Sequence, residues 1–164
     1  MPSKAVPEIV EDYILYYYAK LVIAASAGEG GNYRFIMDRY KKLKSGEIKM
    51  SDYDREIQKE AQQPGICAFC QRQGQTVPVE VIPRRLGGPV GVQNLVHACS
   101  NCAKSKGDKD LLTWWCDELG RDKDELPRIP AGLFLKMAHE RHQIAFTLHQ
   151  RCTNIREIWE GAQP

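Results

Sequence analysis

Apolar residues recur every three or four positions at Val10, Ile14, Tyr17, Leu21 and Ala24 or Ala25. This pattern predicts a helix over residues 7–27, with Pro7 suited to its first turn. Gly28-Glu29-Gly30-Gly31 breaks it. Tyr33, Ile36, Met37, Tyr40 and Leu43 form one stripe of a second predicted helix, Asn32 to Lys44, followed by Ser45-Gly46. Ser51 is a good N-cap for a third, Asp52 to Gln62, with Asp52 and Asp54 where the helix dipole favours acids. Pro64-Gly65 closes this arm.

From Ile66 to about Ala98 the period shortens. Thr76 to Ile82 and Asn94 to His97 read as short strands flanking a glycine- and proline-rich loop, Pro83 to Gly91. Asn101 to Leu119 reads as helix, with Gly120 as its stop. Arg121 to Pro130 is a polar connection. A long amphipathic helix follows, with Leu133, Phe134, Met137, Ala138, Ile144, Ala145, Leu148 and Cys152 on the inward face, and a last short piece carries Ile155, Ile158 and Trp159. The expected layout is α+β and mostly helical: an N-terminal helical arm (1–63), a small β-containing centre (64–120) and a C-terminal helical arm (121–164) packing on that centre.

Composition narrows the class. Of 164 residues, 43% are apolar and 27% charged, which predicts a globular chain of one domain with arms. Ile14 to Ala27, the most apolar run, is interrupted by Lys20 and three tyrosines, so no membrane span or membrane partner is expected. Met1 to Glu11 lacks the charge and apolar pattern of a secretory signal, and a cytoplasmic location is the expectation. The net charge of +2 excludes a generic polycation, so any affinity for nucleic acid has to come from a local patch.

Six cysteines in such a chain point to metal rather than disulfides. Cys67-Ala-Phe-Cys70 and Cys99-Ser-Asn-Cys102 are two C-x-x-C pairs separated by 28 residues. Each spacing lets one tight turn present both sulfurs to a single ion, and two such turns complete the four-thiolate shell that Zn2+ favours. With every position filled by sulfur, the role is structural. A redox C-x-x-C would occur once, near a βαβ pattern absent here. Cys116 and Cys152 lie on apolar helical faces as small buried residues.

Between the pairs stand Val81-Ile82-Pro83-Arg84, Gly87-Gly88-Pro89, Asn94-Leu95-Val96 and Ala98-Cys99-Ser100-Asn101-Cys102, followed by Lys104-Ser105-Lys106-Gly107-Asp108-Lys109. This ordered set resembles the HNH endonuclease family, over about residues 66–115. The resemblance implies a small ββα-metal centre flanked by helices. It also implies phosphodiester hydrolysis, with a strand histidine activating water, one divalent ion on the scissile phosphate and a middle asparagine propping the loop. Asn94 occupies that middle position. No histidine stands at the general-base position: ungapped alignment puts Val79 and Glu80 at the acidic and basic places, and otherwise the histidine is deleted after Glu80. The family's position after the second cysteine pair is Ala103.

The candidate catalytic residues are therefore Glu80 and Asn94, with Mg2+ or Mn2+ at a weak second site. Arg84, Arg85, Lys104, Lys106 and Lys109 stand against Asp108 alone and form the candidate surface for duplex DNA. A solvated charge run is the plain alternative. A second basic group (Arg39, Lys41, Lys42, Lys44, Lys49) suits a helix C-terminus. His97 packs or faces solvent, and His139, His142 and His149 are assigned to a solvated helix face. Three functions remain open: an HNH-type enzyme with weakened or lost hydrolysis, a non-catalytic DNA-binding module, and an interaction subunit that meets a protein partner or a second copy through its arms.

Overall fold

The computed structural model describes residues 7–160. It is mostly helical, with one two-stranded antiparallel sheet, as an α+β chain should be. Among the described residues no helix is long and apolar enough to cross a membrane. The chain divides into two compact units, residues 1–49 with 135–164 and residues 50–134.

In the first unit, α1 (Val10–Tyr18) widens into a π-helical stretch, Ala19–Ala24. The predicted start at Pro7 is corrected by three residues. Val10 and Glu11 donate their N–H groups to the carbonyls of Gln150 and Leu148, both at 2.9 Å, and Cys152 N–H returns to Glu8 at 3.0 Å. Ile9 is extended rather than helical, and it bridges to Arg151. α2 (Tyr33–Ser45) follows the expected bounds closely. Asn32 caps it by accepting from Phe35 N–H at 3.2 Å, and Gly46 ends it at φ 81°, where a side chain would be strained. Ile14, Tyr18, Leu21, Ile36, Tyr40 and Leu43 are buried in this unit. Lys44 reaches Asp12 at 2.9 Å, a bond that raises the Lys44 pKa. Arg39 and Lys42 pair with Asp38, so part of the second basic group is locally neutralised.

In the second unit, Met50–Tyr53 is a 3-10 turn and α3 runs only over Asp54–Ala61. Ser51 lies inside that turn and is not the N-cap expected of it. β1 (Val77–Glu80) pairs with β2 (Leu95–Ala98), with Val77 opposite Ala98 and Glu80 opposite Leu95. α4 (Ser100–Lys106) follows β2 directly. The helix expected through Leu119 is broken at Gly107 (φ 52°, ψ −133°). It resumes beyond Asp110, whose carboxylate accepts from Thr113 N–H at 2.9 Å, as a π-helical stretch, Thr113–Glu118. Gly120 (φ 65°) stops it as predicted.

α5 (Arg128–Ala145) begins inside the predicted connection, and its residues from Leu135 onward belong to the first unit. Leu133, Phe134, Met137 and Ala138 are buried as expected, whereas Ile144 is 79% exposed and Ala145 is also exposed. The inward pattern stops at this last turn of the helix, which ends at Ala145, with Phe146 left-handed beyond it (φ 58°). Cys152 is buried from beyond the helix, and Cys116 is half-buried. α6 (Glu157–Glu160) brings in Ile158 and Trp159.

His142 corrects the solvated-face assignment, since it is 0% exposed. Its Nδ1 lies 2.7 Å from Thr147 Oγ1 and its Nε2 meets the Ile158 carbonyl, so one imidazole joins α5, the turn after it and α6. His139 is half-buried, 3.8 Å from Glu11, with its pKa lowered by desolvation; His149 is exposed. His142→Leu roughly keeps the volume but removes both imidazole bonds, leaving Thr147 Oγ1 only its 3.5 Å bond to the residue 142 carbonyl. It is expected to cost about 1–3 kcal/mol in urea unfolding and to speed amide exchange at residues 155–159. Unchanged exchange there would show that the imidazole does not hold α6.

Candidate metal centre

The two C-x-x-C segments come together because β1 and β2 return the chain to where it started. Ala68 N–H donates to the His97 carbonyl at 2.8 Å, seating the first cysteine turn against β2. The sulfurs of Cys67, Cys70, Cys99 and Cys102 all lie within 4.8 Å of one another, and Cys70 and Cys99 Sγ are 3.7 Å apart. A tetrahedron with bonds near 2.3 Å has sulfur–sulfur edges of about 3.8 Å. The donor set and its spacing therefore fit zinc, and the four cysteines can hold a structural Zn2+.

Backbone donors prepare the site. Phe69 and Cys70 N–H point at Cys67 Sγ, both at 3.4 Å, and Cys102 N–H points at Cys99 Sγ at 3.5 Å. Cys99 is thereby also the N-cap of α4. Burial pushes the Cys67 thiol up, but these backbone donors outweigh it and bring it down to about 7. Burial and the neighbouring sulfurs raise Cys102. Beneath the turn, Phe69 meets Trp114 edge-on at 5.0 Å, and Trp114 Nε1 donates to Ser105 Oγ at 2.9 Å. Trp114, not singled out from the sequence, floors the cysteine turn through Phe69.

The loop from Val81 to Asn94 is held by one buried amide. Asn94, 0% exposed, accepts from Ile82 N–H and donates to the Ile82 carbonyl, both at 2.8 Å, and also donates to Pro89 at 3.0 Å. A Cβ on Gly88 would lie 1.8 Å from the Ile82 carbonyl oxygen, so only glycine fits beside this brace. Asn94 thus positions backbone, and its side chain is spent on the loop.

Val79, Glu80, Arg84, Arg85, Ala103 and Asp108 line a groove of about 450 Å³. The Glu80 carboxylate accepts from Arg84 Nε at 3.2 Å. Arg85 Nε donates to the Asp108 carbonyl at 2.7 Å and lies 3.2 Å from its carboxylate. Lys104 is exposed. Lys109 is tied to Glu118 at 2.7 Å and to the Ser105 carbonyl at 3.1 Å. Lys106 does not join the surface group: it is 0% exposed, and its ammonium donates to the Glu80 and Lys109 carbonyls at 2.9 and 3.3 Å. The last turn of α4 carries this ammonium to the end of β1, a placement that the charge run alone did not reveal.

His97 is half-buried, with Nδ1 3.3 Å from Thr76 Oγ1. It borders a larger groove of about 880 Å³ beside the cysteine turn, where Lys59, Arg121 and Arg128 are balanced by Glu56, Glu60 and Glu125. Among the described residues, the cysteine group is the one cluster of three or more ligand side chains close enough to share an ion.

Comparisons of the chain with protein-family models, with curated proteins and with solved structures return no significant match.

Zinc analysis of the purified chain is expected to give one ion per molecule. Stripping it with a strong chelator should remove a cooperative unfolding step, because two four-residue strands bury too little core to stand alone. Cys67→Ser and Cys102→Ser should each reproduce that loss; a metal-free chain that melts unchanged would count against a structural ion.

Lys106 generates a pH dependence. Desolvation lowers its pKa to about 8 against the attraction of Asp110, Glu80 and Asp108, whereas the unfolded side chain keeps the ordinary 10.5. Between these values the unfolded state holds more protons, so this group adds stability as pH rises. Relative to Lys106→Met, the parent is expected to gain up to about 3 kcal/mol from pH 8 to 10.5 in paired urea melts. A difference that ignores pH would mean the lysine is not desolvated.

Proposed function

We propose that residues 66–115 are a degenerate HNH-type ββα-metal unit, stapled by zinc, that binds the phosphate backbone of duplex DNA with phosphodiester hydrolysis weakened or lost. The groove between β1 and α4 carries the reading. Its order of elements is strand, braced loop, strand and helix, with a cysteine pair before the first strand and another opening the helix. Asn94 does for the loop what the family's middle asparagine does. In place of the family's histidine stands Glu80, bound by Arg84, with Val79 and Ala103 offering no ligand atom beside it.

That chemistry favours holding a phosphodiester over cutting it. A general base has to accept a proton from water, and a carboxylate already bonded to a guanidinium is poorly disposed to do so. A Mg2+ or Mn2+ ion on Glu80 would also face the charges of Arg84 and Arg85 across the same groove. Those arginines and Lys104 are exposed and suit backbone oxygens, which position a protein on DNA without reading its sequence.

A second reading, an interaction subunit that meets a protein or another copy of this chain, draws on Ile144 and Phe146 at the end of α5, 79% and 95% exposed.

The first reading predicts a salt-dependent complex. Replacing Arg84, Arg85 and Lys104 together by Ala should weaken binding to a labelled duplex on the order of tenfold or more. The log–log salt slope should flatten by about 0.9 for each phosphate charge left unneutralised. Lys106→Ala should lower folding stability and leave that slope alone, because its ammonium is buried. The parent should nick supercoiled plasmid far more slowly than a Glu80→His, Ala103→Asn variant in Mg2+ or Mn2+. Robust Mg2+-dependent cleavage by the parent would overturn the loss of hydrolysis, and absence of any duplex binding would overturn the reading as a whole.

A further inference from the structure

The two groove arginines are already occupied. Arg84 Nε sits 3.2 Å from Glu80 and Arg85 Nε 3.2 Å from Asp108, with all four side chains lining one groove. Neither pair is buried: the side chains of Arg84 and Glu80 are 68% and 30% exposed, those of Arg85 and Asp108 54% and 76%. Exposed pairs of this kind hold weakly and exchange readily. Each arginine also keeps further guanidinium N–H donors, because Nε alone makes these bonds.

The two pairs differ in one respect. Arg84 is bound to a carboxylate only through Glu80, on the strand, whereas Arg85 is also anchored to the Asp108 backbone carbonyl at 2.7 Å. Losing the Asp108 carboxylate would leave Arg85 in place, and losing the Glu80 carboxylate would release Arg84. The Glu80 backbone carbonyl is engaged separately by Lys106, so the Glu80 side chain can change without disturbing that buried hydrogen bond.

Resting on the DNA-binding reading, we infer that Glu80 and Asp108 act as internal competitors for Arg84 and Arg85, stand-ins that a backbone phosphate displaces. A phosphodiester carries one negative charge over two free oxygens and accepts the same N–H donors as a carboxylate. Binding is then an exchange of anions that needs no divalent ion in the groove. Glu80 is a negative determinant of affinity, opposite in sign to a metal ligand or a general base. Its carboxylate holds affinity for stray anions down and reserves the groove for a polyanion whose neighbouring phosphates engage both arginines at once.

The test measures duplex affinity by fluorescence anisotropy at fixed low salt for the full zinc-loaded chain, with circular dichroism and zinc content confirming that each variant is folded. Glu80→Gln is expected to tighten binding roughly two- to fivefold, the scale of an exposed ion pair. Asp108→Asn should tighten it less, because the Arg85 anchor to backbone persists. In an Arg84→Ala background the effect of Glu80→Gln should fall to that of a charge control in the same unit but outside this groove, Glu56→Gln. Excess Mg2+ held at constant ionic strength should not tighten the complex. If Glu80→Gln weakens binding or leaves it unchanged while Arg84→Ala weakens it, the competitor role is overturned and the DNA-binding reading stands. If no form of the chain binds duplex at low salt, both fall together.

Discussion

Four sulfurs within 4.8 Å are the constraint on which the second unit depends. They bring residue 67 to residue 102, and everything between is a loop that must leave and return. Zinc held by this cluster would cross-link the turn before β1 to the first turn of α4, so that the small sheet need not hold itself together. The same sulfurs do local work: Cys67 organises a turn by accepting two backbone N–H groups, and Cys99 caps a helix. Because the ligands are also turn and cap residues, metal affinity and local fold are one free energy.

Within that enclosure one amide performs the next task. Asn94 satisfies both backbone groups of Ile82 and the carbonyl of Pro89, and Gly88 lets the loop pass against Ile82 with no room for a side chain. The loop is thus fixed by hydrogen bonds as well as by the burial of Val81, Ile82 and Pro83. This suits a segment that projects Arg84 and Arg85 outward while Val81 and Ile82 remain inside. Directly below, Lys106 completes the strand end by donating to Glu80 and Lys109. The basic residues of this region divide into three kinds: exposed and loosely paired (Arg84, Arg85), exposed on the helix (Lys104), and structural (Lys106).

The first unit is built on different physics. Its core is apolar and aromatic, and backbone bonds join residues 8–11 to 148–152. His142 supplies a buried polar junction, tying α5 to α6 through hydrogen bonds. Ile144, on the last turn of α5, and Phe146, just beyond it in the left-handed region, lie outside this core.

Whatever rests on short-range rules was legible along the chain. Helix periodicity placed α2 nearly to the residue, Gly46 and Gly120 marked stops, alternation and glycine located both strands, and the paired C-x-x-C spacing grouped the ligands. Spacing sufficed for the ligands because a two-residue gap restricts where two sulfurs can point. Long-range packing set whatever depends on which way a chain turns or what lies across from it. The Glu80 carbonyl, 26 residues away, holds the Lys106 ammonium inside, nothing among the described residues of its unit covers Ile144, and packing against α6 buries His142. It also gave Glu80 and Asp108 their arginine partners, one at four residues' separation and one at 23. A charge in a sequence has a sign but no neighbours, and its chemistry is set by those neighbours.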